Sequence, residues 1–260
     1  MPPEPEEPLA RARAAAREDL ESLVREASEE RLLALLENPN LEEPDVTRLL
    51  DRLDLPVTVL SAVASAGKWT SSEAVRLRLA SHPRTPKRFA LAAVRQLYLF
   101  NLVRLSLLPS APTDIRRVAE ELILTRVPHL PVGEKLTLAR RGPSRVAGAI
   151  LAEGHPQAIK LALGNPFLRE SQVLKALAKA DLPERVVVAI AQHPKWSGHY
   201  NVRAALVRNS VTPAASVRLF LPHLTLRDLQ DMARLEGLAP HLRKHLRQEL
   251  ARRCGTGKSG

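Results

Sequence analysis

Prolines divide this chain into short stretches of helical periodicity, and no other feature of the sequence limits its fold as strongly. The chain holds 21 prolines among 260 residues, mostly just after an apolar run ends. Proline fits the first turn of a helix but not its interior, because it lacks an N–H donor and its ring clashes with the preceding turn. Between prolines, apolar residues recur at helical spacing, as at Ile115, Val118, Ala119 and Leu122. The pattern predicts short helices joined by tight turns.

The sequence offers little support for strands. The longest β-branched run, Val186 to Val188, lies within a pattern of helical length, and Leu and Ala, which favour helix, dominate elsewhere. The predicted fold class is all-α. The predicted helices cover 8–36, 44–53, 56–66, 72–81, 86–107, 112–126, 131–141, 143–153, 156–163, 168–180, 183–192, 199–208, 213–222, 225–235 and 239–252.

These helices are too short to bury a broad face singly, so we expect them to stack. The predicted organisation is a disordered acidic and proline-rich tail at 1–7, acidic N-terminal capping helices at 8–54, a helical repeat body at 55–252 and a disordered tail at 253–260.

An internal repeat accounts for many of the prolines. The segment VRLRLASHPRTP from Val75 to Pro86 aligns without a gap to VRAALVRNSVTP from Val202 to Pro213. Weaker copies keep an Asn or His at the end of a helix, usually followed by Pro. Asn tolerates the conformation that ends a helix, and Thr followed by Pro suits the start of the next one. The segment is therefore a helix, turn, helix unit used repeatedly.

This unit resembles the leucine-rich repeat variant family and, more loosely, HEAT-like repeats. The resemblance implies an α-solenoid, a right-handed superhelix of short stacked helices whose surface binds a partner. Two departures are visible in this chain. The turn residues at 38, 82, 155, 165, 193 and 209 are irregularly spaced, and the cysteine cluster that some family members place before the repeats is missing. An iron–sulfur cluster is therefore not expected.

Composition narrows the class of protein further. The single cysteine, Cys254, excludes an intrachain disulfide, and no stretch is apolar enough to span a membrane. The N-terminal sequence lacks the pattern of a signal peptide, which predicts a cytoplasmic protein. Charge is unevenly distributed: residues 1–54 carry a net charge of −8 and residues 55–260 a net charge of +19. An excess of this size is typical of polyanion binders, although scattered arginines also keep a solenoid's outer face hydrated.

Two features of the sequence, its histidines and its C-terminal tail, look like metal or nucleotide sites, but their neighbouring residues do not support either kind of site. His82, His155 and His193 stand at the repeat's turn position, where Asn38, Asn165 and Asn209 stand in other copies, so we interpret them as turn residues. His241 and His245 have the spacing of a zinc pair, but Arg243, Lys244 and Arg247 surround them. The tail from Gly255 to Gly260 imitates a phosphate loop without its first glycine. We predict no metal, no nucleotide and no other cofactor.

One local cluster stands out as a candidate for partner binding. The segment from Lys195 to Asn201, followed by Arg203, holds one of two tryptophans and one of two tyrosines beside basic residues. Such a loop can stack a base or clamp a peptide. The alternative is that Trp196 fills an inter-helix loop and Tyr200 starts the next helix. The predicted partner-binding residues are Lys195, Trp196, His199, Tyr200, Arg203, Arg208, Arg140 and Arg141.

Two functions follow from these patterns. The first is a non-enzymatic helical-repeat scaffold that binds a macromolecular partner, a protein in the first instance, because stacked helices create long surfaces and few pockets. The alternative is a nucleic-acid-binding HEAT-like protein, related to DNA repair, that uses its basic surface. The sequence contains no catalytic signature, so we predict no catalytic residues.

Overall fold

The computed structural model describes residues 6–25, 28–234 and 240–256. These residues form α-helices and short 3-10 turns and contain no strand, which confirms the all-α fold class. No helix in these ranges is both long and apolar enough to cross a lipid bilayer. The chain divides into two compact units, unit 1 from Met1 to Thr125 and unit 2 from Arg126 to Gly260.

Unit 1 is built from ten helices in its described part, the last of which ends one residue beyond the unit. They are α1 (Glu6–Ala14), α2 (Leu20–Val24), α3 (Glu29–Leu36), α4 (Glu43–Leu50), α5 (Val57–Ser65), α6 (Gly67–Thr70), α7 (Glu73–Ser81), α8 (Lys87–Arg95), α9 (Leu99–Leu107) and α10 (Thr113–Arg126).

Ten further helices form the described part of unit 2. They are α11 (Val132–Arg141), α12 (Ser144–Glu153), α13 (Pro156–Leu163), α14 (Glu170–Leu177), α15 (Glu184–Gln192), α16 (Pro194–Gly198), α17 (Tyr200–Arg208), α18 (Ala214–Phe220), α19 (Leu226–Ala233) and α20 (Pro240–Thr256).

The single helix predicted over 8–36 is wrong. The chain leaves the helical conformation at Ala16, whose φ and ψ are −69° and 161°, and a separate helix begins at Glu29 after the Ser28 cap. The predicted helix over 86–107 is likewise two helices, which are separated at the extended residue Tyr98. Neither break contains a proline, so the proline positions from which the helix bounds were predicted did not reveal them.

The structure also describes parts of the predicted tails. Helix α1 begins at Glu6, inside the tail predicted over 1–7, whose first five residues lie outside the described ranges. Helix α20 continues to Thr256, four residues into the tail predicted from 253, and residues 257–260 lie outside the described ranges. Arg253 donates hydrogen bonds to the carbonyls of Leu221, Pro222 and Leu224.

Within each unit, helices pack on their neighbours in two rows. In unit 1, α1 packs on α3 and α3 on α5, while α2 packs on α4, α4 on α7 and α7 on α9. In unit 2, α11, α13 and α15 follow one another in the same way, and α12, α14 and α17 form the second row. Leucine, valine, isoleucine and alanine side chains from both rows fill the core of each unit.

The two units are copies of one helical unit, related by a shift of 127 residues. The alignment of Val75 to Pro86 with Val202 to Pro213 extends without a gap to Leu36–Pro86 and Leu163–Pro213, and 20 of these 51 positions are identical. Four helices, α3, α4, α5 and α7, shift by 127 residues at both ends to become α13, α14, α15 and α17.

Hydrogen bonds repeat with the same shift. The Asn38 amide donates to the carbonyls of Ala12 and Ala15, at 2.9 and 3.1 Å. The Asn165 amide donates to the carbonyls of Ala139 and Gly142, at 2.9 and 3.0 Å. Arg76 bonds the carbonyl of Thr70, and Arg203 bonds that of Ser197. The internal repeat predicted from the sequence is therefore much longer than its two sharpest segments.

The turn residues fall into two groups that the sequence does not separate. Asn38, His82, Asn165 and Asn209 each accept a hydrogen bond from the backbone N–H two residues later. His155 and His193 instead precede α13 and α16, cap them with no side-chain hydrogen bond, and keep a buried Nδ1 that bonds no described residue. The prediction that all six share one turn position is wrong for these two histidines.

Candidate functional site

The predicted aromatic loop is a packed part of unit 2. The Trp196 side chain is only 1% exposed, and its indole N–H donates to the carbonyl of Leu163 at 2.8 Å. The Lys195 ammonium lies 4.3 Å from the centre of the indole ring, and the His199 ring stacks on that ring at 5.6 Å. Burial, followed by the charge of Lys195, lowers the pKa of His193 beside it. A base could not stack on this tryptophan without displacing these neighbours.

The other polar residues of this loop form hydrogen bonds within the unit. The Tyr200 hydroxyl donates to Asp228 and accepts from the backbone N–H of Thr225. The bond from Tyr200 and a second one from the Thr225 hydroxyl, at 2.7 Å, hold the pKa of the Asp228 carboxyl below its ordinary value. His199 lies 3.3 Å from Glu170. Together with the Arg203 bond to Ser197, these contacts assign the loop a structural role.

The remaining predicted binding residues lie in two other places. Arg140 and Arg141 are exposed at the end of α11, and Arg208 is exposed at the end of α17. The structure therefore does not bring the eight predicted residues together into one site. Of these three arginines, only Arg208 belongs to the row formed by α12, α14 and α17.

The described residues provide no metal centre. No group of three or more His, Cys, Asp and Glu side chains among them could hold an ion. The His241 side chain lies outside the described part, and the His245 ring faces Gln248.

The two units carry very different charge on the same helical frame. Unit 1 has 19 acidic and 17 basic residues, a net charge of −2, whereas unit 2 has 9 acidic and 22 basic residues, a net charge of +13. Because the helices correspond one to one, each charge can be compared at equivalent positions. The difference lies largely in acidic residues that unit 2 lacks.

In unit 1, the face formed by α2, α4 and α7 neutralises its own charges. Glu21 pairs with Arg25 at 2.9 Å and with Arg48 at 3.6 Å. Asp45 pairs with Arg17, and Asp51 pairs with Arg78, both at 2.8 Å. Within the described part of the chain, Glu21, Asp45 and Asp51 on this face therefore each already have a cationic partner.

The equivalent face of unit 2, formed by α12, α14 and α17, has lost those carboxylates. Gly148, Gln172 and Ala178 stand where unit 1 has Glu21, Asp45 and Asp51. Two basic positions are kept, as Lys175 and Lys179 in place of Arg48 and Arg52, and Arg208 replaces Ser81. We call this surface the groove face.

Two open grooves run along the groove face, one on either side of α14. The first, about 200 Å³ in volume, lies between α12 and α14, and its lining includes Gly148, Lys175 and Lys179. The second, about 310 Å³, lies between the ends of α14 and α17, and its lining includes Lys179, Arg208 and Asn209. A Cβ on Gly148 would lie 2.8 Å from the Gln172 Cβ, so this glycine permits the close approach of α12 to α14.

The three cations of the groove face have no partner in the described part of the chain. Lys175, Lys179 and Arg208 are exposed, and none of them forms a hydrogen bond or an ion pair within 4 Å with a described residue. Arg208 lies close enough to Asp228 to lower the pKa of that carboxyl, although the hydrogen bonds from Tyr200 and Thr225 have the larger effect. The face can therefore offer three positive charges to an anion from outside.

Comparisons with protein-family models, with curated proteins and with solved structures found no match. The resemblance to leucine-rich repeat variant and HEAT-like proteins stays a prediction. Sequence reasoning identified Arg208 and missed Lys175 and Lys179. The signal that identifies them is that acidic residues of unit 1 are replaced by uncharged residues 127 positions later. This replacement becomes visible when the two units are aligned beyond the two sharpest segments.

Proposed function

We propose that this protein is a helical-repeat protein that binds the phosphate backbone of a nucleic acid through the groove face of unit 2. The observation that carries the proposal is the comparison of the two units. In unit 1, carboxylates of the same face pair with its cations, whereas in unit 2 three cations of the face have no partner in the part of the chain that the structure describes. Phosphates can take the place of the missing carboxylates, since binding them releases the counterions of the nucleic acid.

The chemistry of the groove face favours contacts with the backbone over contacts with bases. None of its lining residues is aromatic, and the tryptophan of unit 2 is buried in the core. Stacking platforms need exposed aromatic rings, whereas phosphate contacts need only positioned cations and amides. We therefore expect binding with little dependence on base sequence.

The succession of helices within each unit supports a solenoid as the architecture of this binding protein. Each helix of a row contacts the next helix of that row, as in α-solenoids, which expose long surfaces built from successive helices. We propose binding rather than catalysis as the activity. A cytoplasmic location agrees with this function and belongs to the same proposal.

A salt titration of the variant K175A/K179A/R208A tests the function. The wild-type chain should bind a short labelled DNA duplex with an affinity that falls as salt rises. The triple variant should bind at least about tenfold more weakly, and its salt slope should be smaller by roughly 2 to 3, because each phosphate contact contributes about one unit. Fluorescence anisotropy measures both quantities.

A matched control separates a defined face from general attraction. The variant K160A/R185A/R218A removes the same charge from exposed positions on α13 and α15, in the other row of unit 2, and on α18. It should retain nearly the wild-type slope. Equal losses in the two triple variants, or duplex binding without salt dependence, would contradict the proposal. Binding to polyglutamate but not to the duplex would instead support an acidic protein as the partner.

A further inference from the structure

The groove between the ends of α14 and α17 has a counterpart in unit 1 that is occupied by the chain's own charges. The counterpart, about 200 Å³ in volume, is lined by Asp51, Arg78 and His82, among others. Arg78 holds the Asp51 carboxylate through two contacts, at 2.8 and 3.4 Å. Unit 1 therefore carries a built-in anion at this position.

Unit 2 has removed both members of that ion pair. Ala178 and Ala205 stand where Asp51 and Arg78 stand in unit 1, and the groove they line is about 310 Å³ in volume. Loss of the carboxylate and of the long arginine side chain leaves room on the groove floor. The space lies between two cationic side chains, those of Lys179 and Arg208.

Asn209 adds an uncharged donor to the same groove. Its side-chain oxygen accepts the Val211 N–H at 3.1 Å, and its Nδ2 donates to no described residue. In unit 1 the equivalent His82 ring uses its second nitrogen, Nε2, to bond the carbonyl of Arg52. The exchange of histidine for asparagine thus leaves a free N–H donor beside Lys179 and Arg208.

We infer that this groove binds one phosphate group, at the position where unit 1 has the Asp51 carboxylate. Lys179 and Arg208 supply charge-assisted hydrogen bonds, and the Asn209 amide supplies a neutral one, a donor set that suits a tetrahedral oxyanion. The assignment of this phosphate to a nucleic acid strand rests on the proposed function. The phosphate site itself rests on the geometry of the groove.

The decisive variant transfers the ion pair of unit 1 into unit 2. A178D/A205R adds one negative and one positive charge, so the net charge of the protein does not change. The new pair should fill the groove as Asp51 and Arg78 do in unit 1. We expect duplex binding to weaken about tenfold and the salt slope to fall by about 1, since one phosphate contact is lost. The control T137E/Q157R adds the same two charges at exposed positions on α11 and α13 and should bind like the wild type.

A second measurement tests the groove without nucleic acid. Pyrophosphate is titrated into the full-length protein while the Asn209 side-chain amide is followed by NMR, and circular dichroism checks that each variant is folded. A shift of that amide in the wild type but not in A178D/A205R supports the phosphate site. An amide that does not respond overturns it.

The two measurements separate this inference from the proposed function. If the wild type binds the duplex and A178D/A205R binds it equally well, the phosphate site is overturned and the proposed function survives. If pyrophosphate shifts Asn209 but the wild type does not bind the duplex, the phosphate site is supported and the nucleic-acid function is overturned.

Discussion

At the level of single residues, the two units differ at one turn, where unit 1 has His82 and unit 2 has Asn209. The buried histidine makes the stability of the protein depend on pH. The ring is 3% exposed, its Nε2–H donates to the Arg52 carbonyl at 2.8 Å, and its Nδ1 accepts the Arg84 N–H at 3.1 Å. The bond that Nδ1 accepts requires a neutral ring, whereas Nε2–H can donate in either protonation state. Burial, opposed in part by the bond to Arg52, lowers the pKa of His82.

Replacing His82 with asparagine should remove a dependence of stability on pH. In the unfolded chain His82 takes up a proton near pH 6.5, while in the folded chain its pKa is lower. The unfolded state therefore binds more protons as pH falls from 7 toward 5, and the wild type loses stability over that window. H82N should lose less, by up to about 1.4 kcal/mol for each pH unit.

Urea unfolding at pH 7 and at pH 5 measures the difference. The equivalent Asn209 shows that asparagine makes the same contact with the residue two places further on. Comparing H82N with the wild type cancels the contribution of the other histidines. If the two proteins lose equal free energy of unfolding between these pH values, His82 does not titrate as its surroundings require.

At the level of elements, one buried asparagine in each unit, Asn38 or Asn165, connects a turn to the end of an earlier helix. Asn165 is 1% exposed, and its amide satisfies the carbonyls of Ala139 and Gly142 at the end of α11. Its oxygen accepts the Phe167 N–H at 2.7 Å. The turn between α13 and α14 is thereby fixed against α11, with which α13 packs.

The variant N165D should destabilise the protein by about 2 to 4 kcal/mol. A carboxylate can still accept the Phe167 N–H, but it cannot donate to the two buried carbonyls and it faces their negative ends. Asn209 provides the control, because it uses only its oxygen within the described structure. N209D should cost less than about 1 kcal/mol. Equal losses in urea unfolding would show that the two amide bonds of Asn165 contribute little.

The same bonds explain where the sequence predicted the elements and where it did not. Helix ends before Asn-Pro, at Leu36 and Leu163, and helix starts after Thr-Pro, at Lys87 and Ala214, were predicted to within one residue, because proline and caps act locally. The break at Ala16 lies in an alanine-rich stretch of high helix propensity. There the carbonyls of Ala12 and Ala15 bond Asn38, more than 20 residues further along the chain, and such a tertiary contact overrides local propensity.

The candidate site was less visible in the sequence for a related reason. An isolated lysine such as Lys179 looks like any other solvated charge, and its equivalent Arg52 pairs with Asp54 at 2.9 Å. Lys179 differs from Arg52 because it lines the grooves on both sides of α14, and those grooves are formed together with α12 and α17. A sequence does not show which residues of distant helices line a groove. Trp196 was predicted to bind a partner because tryptophan is rare in this chain, but its indole is buried in the core.

At the level of the whole molecule, two units with matching helices carry different charge, and the proposed function predicts that the acidic residues of unit 1 keep its face from binding. The groove face of unit 2 and its equivalent in unit 1 are built on matching helices. The unit 1 face also carries cations, Arg48 at the position of Lys175 and Arg78 at that of Ala205, but Glu21 and Asp51 pair with them. Removing these two carboxylates should therefore create a second binding face.

The variant E21A/D51A of the full-length chain should bind the DNA duplex several-fold more tightly than the wild type, with a salt slope steeper by up to about 2, because two more cations become available to phosphates. The control E7A/E29A removes one exposed acidic residue each from α1 and α3, in the other row of unit 1, and neither residue forms an ion pair with a described residue. It raises the net charge equally but should alter the slope little, since the effect of distant charges is screened at physiological salt. Equal slopes in the two variants would mean that total charge, not the arrangement of the face, governs binding.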